Sequence, residues 1–229
     1  MSSKTAPHSE LKPATAPRRD AQAEQMVPQT PRREVRREGI IEIALRVFLA
    51  EGYSATSMST IAARVGGSKA TLYNYFPSKE ELFAAVIQRF SERNADVLAA
   101  LDLQSGDFRA SLKRFGISIL RLMISDDVIA MHRLVTAEAA RFPEIGEAYY
   151  QAGVNTGKRK LRDRFEAVMD AGLIRRTDPQ VAAQHFFDLC LAGIYRYRLW
   201  NIGKPPTDAE IEANIENAVK AFMDGYATD

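Results

Sequence analysis

Between residues 56 and 79 the chain concentrates side chains suited to recognition. Hydroxyls stand at Thr56, Ser57, Ser68, Thr71 and Ser78, phenols at Tyr73 and Tyr75, an amide at Asn74 and ammonium groups at Lys69 and Lys79. Hydroxyls at helix starts, phenols and cations suit phosphate oxygens. An asparagine amide can pair with adenine N6 and N7, and a threonine methyl can touch a thymine methyl. Catalytic patterns are missing. His8, His132 and His185 are far apart, with no i, i+4 pair and no H-E-x-x-H. Neither G-x-S-x-G nor G-x-x-x-x-G-K-[ST] occurs. Cys190, the single cysteine, lies in an apolar stretch and reads as a small hydrophobe. No catalytic residue, metal site or cofactor is expected, and an enzyme is not the favoured class.

Local signals say how these side chains are carried. Thr30-Pro31 reads as a helix start. Ile41, Ala44, Leu45 and Phe48 then recur at i, i+3, i+4 and i+7 as one apolar face. Gly52 stands where a helix-ending glycine belongs. Ser57 can cap a short helix from Met58 to Val65, which Gly66-Gly67 breaks. Ser68 can cap another, roughly Lys69 to Tyr75, which Pro77 ends. Ser78-Lys79-Glu80-Glu81 is a capping box for the next helix. Two short helices about a glycine turn form a helix-turn-helix, whose second helix enters the major groove. At 100° per residue Leu72 and Phe76 face inward, while Ala70, Thr71, Asn74 and Tyr75 face outward with no acid among them. Lys79 sits at a helix start, where a cation is slightly unfavourable; a phosphate contact would explain it. The alternative is a helical hairpin whose polar face is merely solvated.

The remainder also reads as helix, near 79–100, 107–124, 126–141, 143–171, 179–200 and 208–226, with no strand alternation between hairpin turns. The fold class is all-α: an N-terminal three-helix unit over 31–78, then a six-helix body over 79–229. Residues 1–30 hold four prolines and few apolar side chains, and read as a disordered, partly basic tail. The chain has 229 residues, a net charge of +2, 46% apolar and 26% charged residues. These values exclude a wholly disordered chain. One cysteine excludes a disulfide framework, and no apolar run reaches a membrane span. A cytoplasmic protein with no membrane partner is expected. Residues 1–85 carry +3 and the rest −1, the right sign for nucleic acid at the N-terminal end.

In the body, Ala182, Phe186, Leu189 and Gly193 form one apolar stripe, and Ile215, Val219 and Phe222 part of another. They are candidates for an interface with a second copy, or for intramolecular core. Met123, Met131, His132, Phe142, Tyr149, Phe165 and His185 supply aromatic, thioether and polar groups to central helices, as ligand contacts or as plain core. Lys158, Arg159, Lys160, Arg162 and Arg164 form a basic run: a solvated face, or a site for an acidic ligand or partner.

The block from Gly52-Tyr53 through Thr56-Ser57, Ile61-Ala62, Gly66, Ser68-Lys69-Ala70-Thr71-Leu72-Tyr73, Tyr75-Phe76 and Ser78-Lys79-Glu80-Glu81-Leu82 resembles the N-terminal signature of the TetR family of transcriptional regulators. Together with the preceding helix it covers residues 32–82. GGSKATLYNYFPSKEELF and, further on, RLVTAEAARFPEI over 133–145 are similar to the AefR-like subgroup. Two positions depart: Gly67 stands where a small aliphatic residue is usual, and Thr60 where an acid often closes the capping box. The resemblance implies phosphate contacts at Thr56 and Ser57, and groove-facing positions at Ser68, Lys69, Ala70, Thr71 and Asn74. It implies DNA-backbone contacts at Tyr73, Tyr75 and Lys79, though Tyr73 could instead pack the small domain's core. It further implies a homodimer on palindromic double-stranded DNA and a pocket for an unidentified small-molecule effector. The expected function is a ligand-responsive repressor. The alternatives are an activator of the same build, or a helical small-molecule-binding or enzymatic protein with a vestigial head.

Overall fold

The computed structural model describes residues 31–94, 96–97, 101 and 106–228. The tail expected over 1–30 lies outside them. The helices are α1 (Pro31–Glu51), α2 (Met58–Val65), α3 (Lys69–Tyr73), α4 (Lys79–Asn94), α5 (Phe108–Met123), α6 (Asp126–Glu138), α7 (Pro143–Tyr149), α8 (Asn155–Asp170), α9 (Pro179–Leu191), α10 (Ile194–Leu199) and α11 (Asp208–Tyr226). Among the described residues there is no strand, and no helix is long and apolar enough to cross a membrane.

The short helices of the head are bounded by their own side chains. Ser57 Oγ accepts the Thr60 amide at 3.0 Å and caps α2. Gly66, at φ +71°, ends it, and the amides of Gly66 and Gly67 return to Ala63 and Ala62. Ser68 Oγ accepts the Thr71 amide at 3.0 Å and caps α3. The Thr60 departure therefore costs α2 only the reciprocal acid of a full capping box. That full box does occur at Thr207 and Glu210, where it opens α11.

Two expected long helices are interrupted, so the six-helix body contains eight α-helices among the described residues. The run 143–171 passes through a π-helical segment, Tyr150–Val154, between α7 and α8. There Gly153 lies so near α4 that a Cβ would stand 3.2 Å from Ser91 Oγ. The run 179–200 breaks at Gly193, whose φ of +80° no helix accommodates. Apolar spacing continues through both points, so periodicity does not reveal them.

Two apolar cores result. The first joins α1–α4 to α6 and α7: Ile40, Phe48, Tyr53 and Leu72 of the head pack with Phe83, Ile87, Met131, Leu134 and Ile145 of the body. Packing therefore runs straight across residue 78, where sequence divides head from body. The second core joins α5, α8, α9 and α11 through Leu112, Phe115, Phe165, Phe186, Ile215 and Phe222. α5 approaches closely here, since a Cβ on Gly116 would lie 2.9 Å from Ile215 Cγ2 and 3.2 Å from Cys190 Sγ.

Candidate DNA-binding surface and effector cavity

Leu72 and Phe76 are buried, as the helix phase predicts, and they dock α3 on the head. Ser57, Ser68, Lys69, Ala70, Thr71, Tyr73 and Asn74 are exposed, and Tyr75 is half-buried. Hydroxyl pairs fix the two helix starts: Ser57 with Thr60 at 2.9 Å and Ser68 with Thr71 at 2.8 Å. Tyr73 is 40% exposed, with the Lys69 ammonium 5.8 Å from its ring centre. That places it on the surface, outside the small core.

Two expected phosphate contacts are placed otherwise. Thr56 is 1% exposed, and its hydroxyl donates to the Gly52 carbonyl at 2.7 Å. Its side chain closes the α1–α2 loop and cannot meet DNA. Lys79 donates to the Tyr53 and Thr56 carbonyls at 3.0 and 3.1 Å, with its ammonium 4.1 Å from the Tyr53 ring centre. Two of its three N–H groups hold that loop, which is why a cation is tolerated at the start of α4.

The start of α1 borders the same surface. Arg33 lies 5.7 Å from the Tyr75 ring centre and Arg37 lies 5.1 Å from that of Phe76. An Arg36 guanidinium nitrogen sits 3.5 Å from where a Cβ of Gly67 would stand. A side chain at 67 would begin in van der Waals contact with Arg36, so the Gly67 departure leaves this cation more room. Arg32, Arg33 and Arg36 form no ion pair among the described residues. Their spacing does not join them to α3; only the packing of α1 does that.

The head is tied to the body at the same loop. Glu138 Oε1, at the end of α6, accepts both the amide and the hydroxyl of Ser54 at 3.0 Å. Those bonds, the amide first, hold the Glu138 carboxyl below its usual range. Tyr53 is fully buried between Phe48, Phe83 and Phe142, with ring centres 5.1–5.6 Å away. Its hydroxyl donates to Glu80 at 3.2 Å. Burial first, then Glu80, pushes the phenol well above its usual range.

Between the two cores lies a cavity of about 390 Å³. Phe90, Leu122, Val128, Leu161 and Phe187 give it apolar walls, with Asn94, Gln180 and Gln184 among the polar groups. Of the candidate ligand residues, Met123, His132 and Tyr149 line it. Met131 is wholly buried in the first core and Phe165 in the second. Phe142 stacks edge-on to Tyr53. His185 shares a 2.6 Å hydrogen bond with the Tyr226 hydroxyl beside a shallow groove between α9 and α11. These four are structural in the chain as described, because a mixed aromatic composition does not say which side of a helix faces a void. His132 shares a 2.7 Å hydrogen bond with the Tyr195 hydroxyl, and Tyr149 meets its ring edge-on. Burial pushes the imidazole down to about 4, so it is neutral near pH 7. Among the described residues no group of His, Cys, Asp or Glu is placed to hold a metal. Burial pushes the Cys190 thiol up to about 12, consistent with an inert side chain.

The stripes expected to meet a second copy also need correction. Ala182, Phe186, Ile215, Val219 and Phe222 are at most 1% exposed. They fill the second core, and of the five only Phe222 also borders the outer groove between α9 and α11. Leu189 and Gly193 are half-buried. The outward groove of α9 and α11 is lined by the expected Leu189 together with Ala192 and Ala221, which the spacing does not single out because the inner stripe is the more apolar.

Comparison with known proteins agrees with this architecture. Residues 40–86 match the family described as bacterial regulatory proteins, tetR family. Residues 110–228 match the AefR-like transcriptional repressor C-terminal domain. A TetR-family regulator from Mesorhizobium loti superposes with a TM-score of 0.78 at 26% identity, covering 85% of this chain and 98% of that one. The flavonoid-responsive regulator FrrA gives 0.75 at 32% identity, with the same coverage of each chain. The HTH-type transcriptional regulator YhgD of Bacillus subtilis is 26% identical over 79% of this chain and 92% of its own. With its helix-turn-helix, its helical body and these matches together, the chain belongs to the TetR family of DNA-binding transcriptional regulators.

Proposed function

We propose that the protein is a ligand-responsive repressor that binds a palindromic operator as a homodimer and leaves it when a small molecule fills the cavity. One observation carries the coupling: α6 connects the two sites. Val128 and His132 line the cavity, and about 9 Å further along the helix Glu138 grips the α1–α2 loop of the head. A ligand that fits the cavity in only one setting of α6 would bias the head, because coupling requires differential affinity for two states. The match to the AefR-like repressor domain and the similarity to flavonoid-responsive FrrA support the same reading.

On DNA, Ser57, Tyr73 and Tyr75 serve the phosphate backbone, and Ser68, Lys69, Ala70, Thr71 and Asn74 face the groove. Arg33 and Arg36 extend the backbone contacts, and the free N–H of Lys79 is available for one more. A single helix-turn-helix reads too little sequence to single out a site, so two copies are needed. The outer groove of α9 and α11 supplies the facing surface.

Selection of full-length protein against randomised duplexes tests this. Enrichment of palindromes with half-sites about 34–36 Å apart, or a multiple, bound by two copies, is expected. Absence of enrichment, or a single copy on an asymmetric site, contradicts it.

A further inference from the structure

We infer that the cavity takes an organic anion, an apolar ring-sized body carrying one carboxylate or comparable acid, whose charge is met by Lys158 and Lys160. This rests on reading the cavity as the effector site.

The walls carry cations without counter-ions. Lys158 and Lys160 line the cavity, and among the described residues no Asp or Glu does. Both lysines are half-buried, and neither forms an ion pair among the described residues. Of the other cations in the run, exposed Arg162 pairs with Asp163 at 2.6 Å, exposed Arg159 donates to the Thr156 hydroxyl at 3.3 Å, and half-buried Arg164 is not on the cavity wall. The Lys158 ammonium rests 5.6 Å from the ring centre of Tyr150, a weak seat that an anion would replace with a stronger contact. On this wall the Gln184 side-chain amide donates to both oxygens of Asp188 at 3.0 and 2.9 Å. Gln184 lines the cavity whereas Asp188 lines the outer α9–α11 groove, and Asp188 forms no ion pair with either lysine among the described residues. His132 is neutral and adds hydrogen bonding without charge.

A ligand acid within reach of these ammonium groups gains charge-assisted hydrogen bonds, while Phe90, Leu122, Val128 and Phe187 receive its apolar body. The cavity volume is in the range that encloses a small organic molecule.

Calorimetry on the full chain decides this with three probes: 2-naphthoate, its neutral isostere 2-naphthamide, and the neutral N-phenyl-1-naphthylamine. Naphthoate should bind at least about tenfold more tightly than the amide, the scale of a hydrogen bond to a charged group. The ratio should fall to near one in a Lys158→Gln, Lys160→Gln double variant and survive in Lys158→Arg, Lys160→Arg. Both variants should retain wild-type helicity. Equal binding of acid and amide overturns the proposal, as does a preference that survives the double glutamine change. Binding of the phenylnaphthylamine alone overturns the anion class but leaves the cavity as an effector site. Binding of none of the three overturns both.

Discussion

Head and cavity hold their polar groups by opposite means. In the head, Ser57, Ser68, Thr71 and Asn74 are exposed, lie within eighteen residues of one another in the chain, and are fixed by caps and turns. In the cavity, His132, Tyr149, Lys160 and Gln184 come from four helices and are oriented by apolar packing. Water competes for every contact in the head, so its chemistry is additive and sensitive to salt. Burial governs the cavity, so its chemistry is sensitive to volume and protonation. The two meet where Glu138 grips Ser54.

The largest expected effects concern the two cores. Tyr53→Ala removes a fully buried ring from the first core and Phe165→Ala one from the second. Each should cost about 3–5 kcal/mol in urea unfolding. Tyr53 also holds the head to α7 through Phe142, so its change should abolish operator binding at temperatures where the chain is still folded. Phe165→Ala should leave operator affinity intact below its own transition. Equal loss of DNA binding in both would erase the distinction between the cores.

Next comes pH. The folded state holds the His132 imidazole down at about 4, against 6.5 when free. Between those values the unfolded chain binds the extra proton, so this contribution is whole above pH 6.5 and is lost as pH falls toward 4. The loss should reach a few kcal/mol. His132→Gln should flatten the curve in that window, and a curve unchanged by the substitution would place the acid sensitivity elsewhere. Glu138 adds a smaller loss of the same sign lower down, since its folded value is depressed and its contribution disappears as pH drops through it.

A sharper test of the junction is Glu138→Gln. It weakens the grip on Ser54 without touching either site, and should change ligand-induced operator release by about 0.5–2 kcal/mol of coupling. Ligand affinity without DNA should stay the same. Unchanged coupling would separate α6 from the signal.

The smallest effect separates two cations of the head. Arg36→Ala should lower the slope of log K against log salt by about 0.9, one phosphate contact. Lys79→Ala should instead lower stability, because its ammonium is bonded to the Tyr53 and Thr56 carbonyls. The reverse pattern would restore Lys79 as the main phosphate contact.

How far each region can be read from sequence follows from the same contrast. Ser57, Gly66, Ser68 and Pro77 act on neighbours within four residues, so the head's helices, and the inward turn of Leu72 and Phe76, are visible from spacing. The partners of Lys79, the Tyr53 and Thr56 carbonyls, lie more than twenty residues back and are set by folding of the whole head, as is the burial of Thr56, whose own partner at Gly52 is local. Met123, His132 and Tyr149 reach the cavity while Met131 and Phe165 do not, although all five have the same apolar or aromatic character. Which face of α6 or α8 meets a void depends on five other elements. The outer face of α9 and α11 is hidden for a simpler reason. The more apolar stripe, through Phe186 and Phe222, serves the chain's own core.

The most direct test is fluorescence anisotropy of the full chain on the duplex upstream of its own gene, against a scrambled duplex of equal length, across a salt series. Tight site-selective binding, with log K falling linearly in log salt and two copies per site, is the predicted result. Equal weak binding to both duplexes, repeated on sites recovered by random selection, would contradict the account.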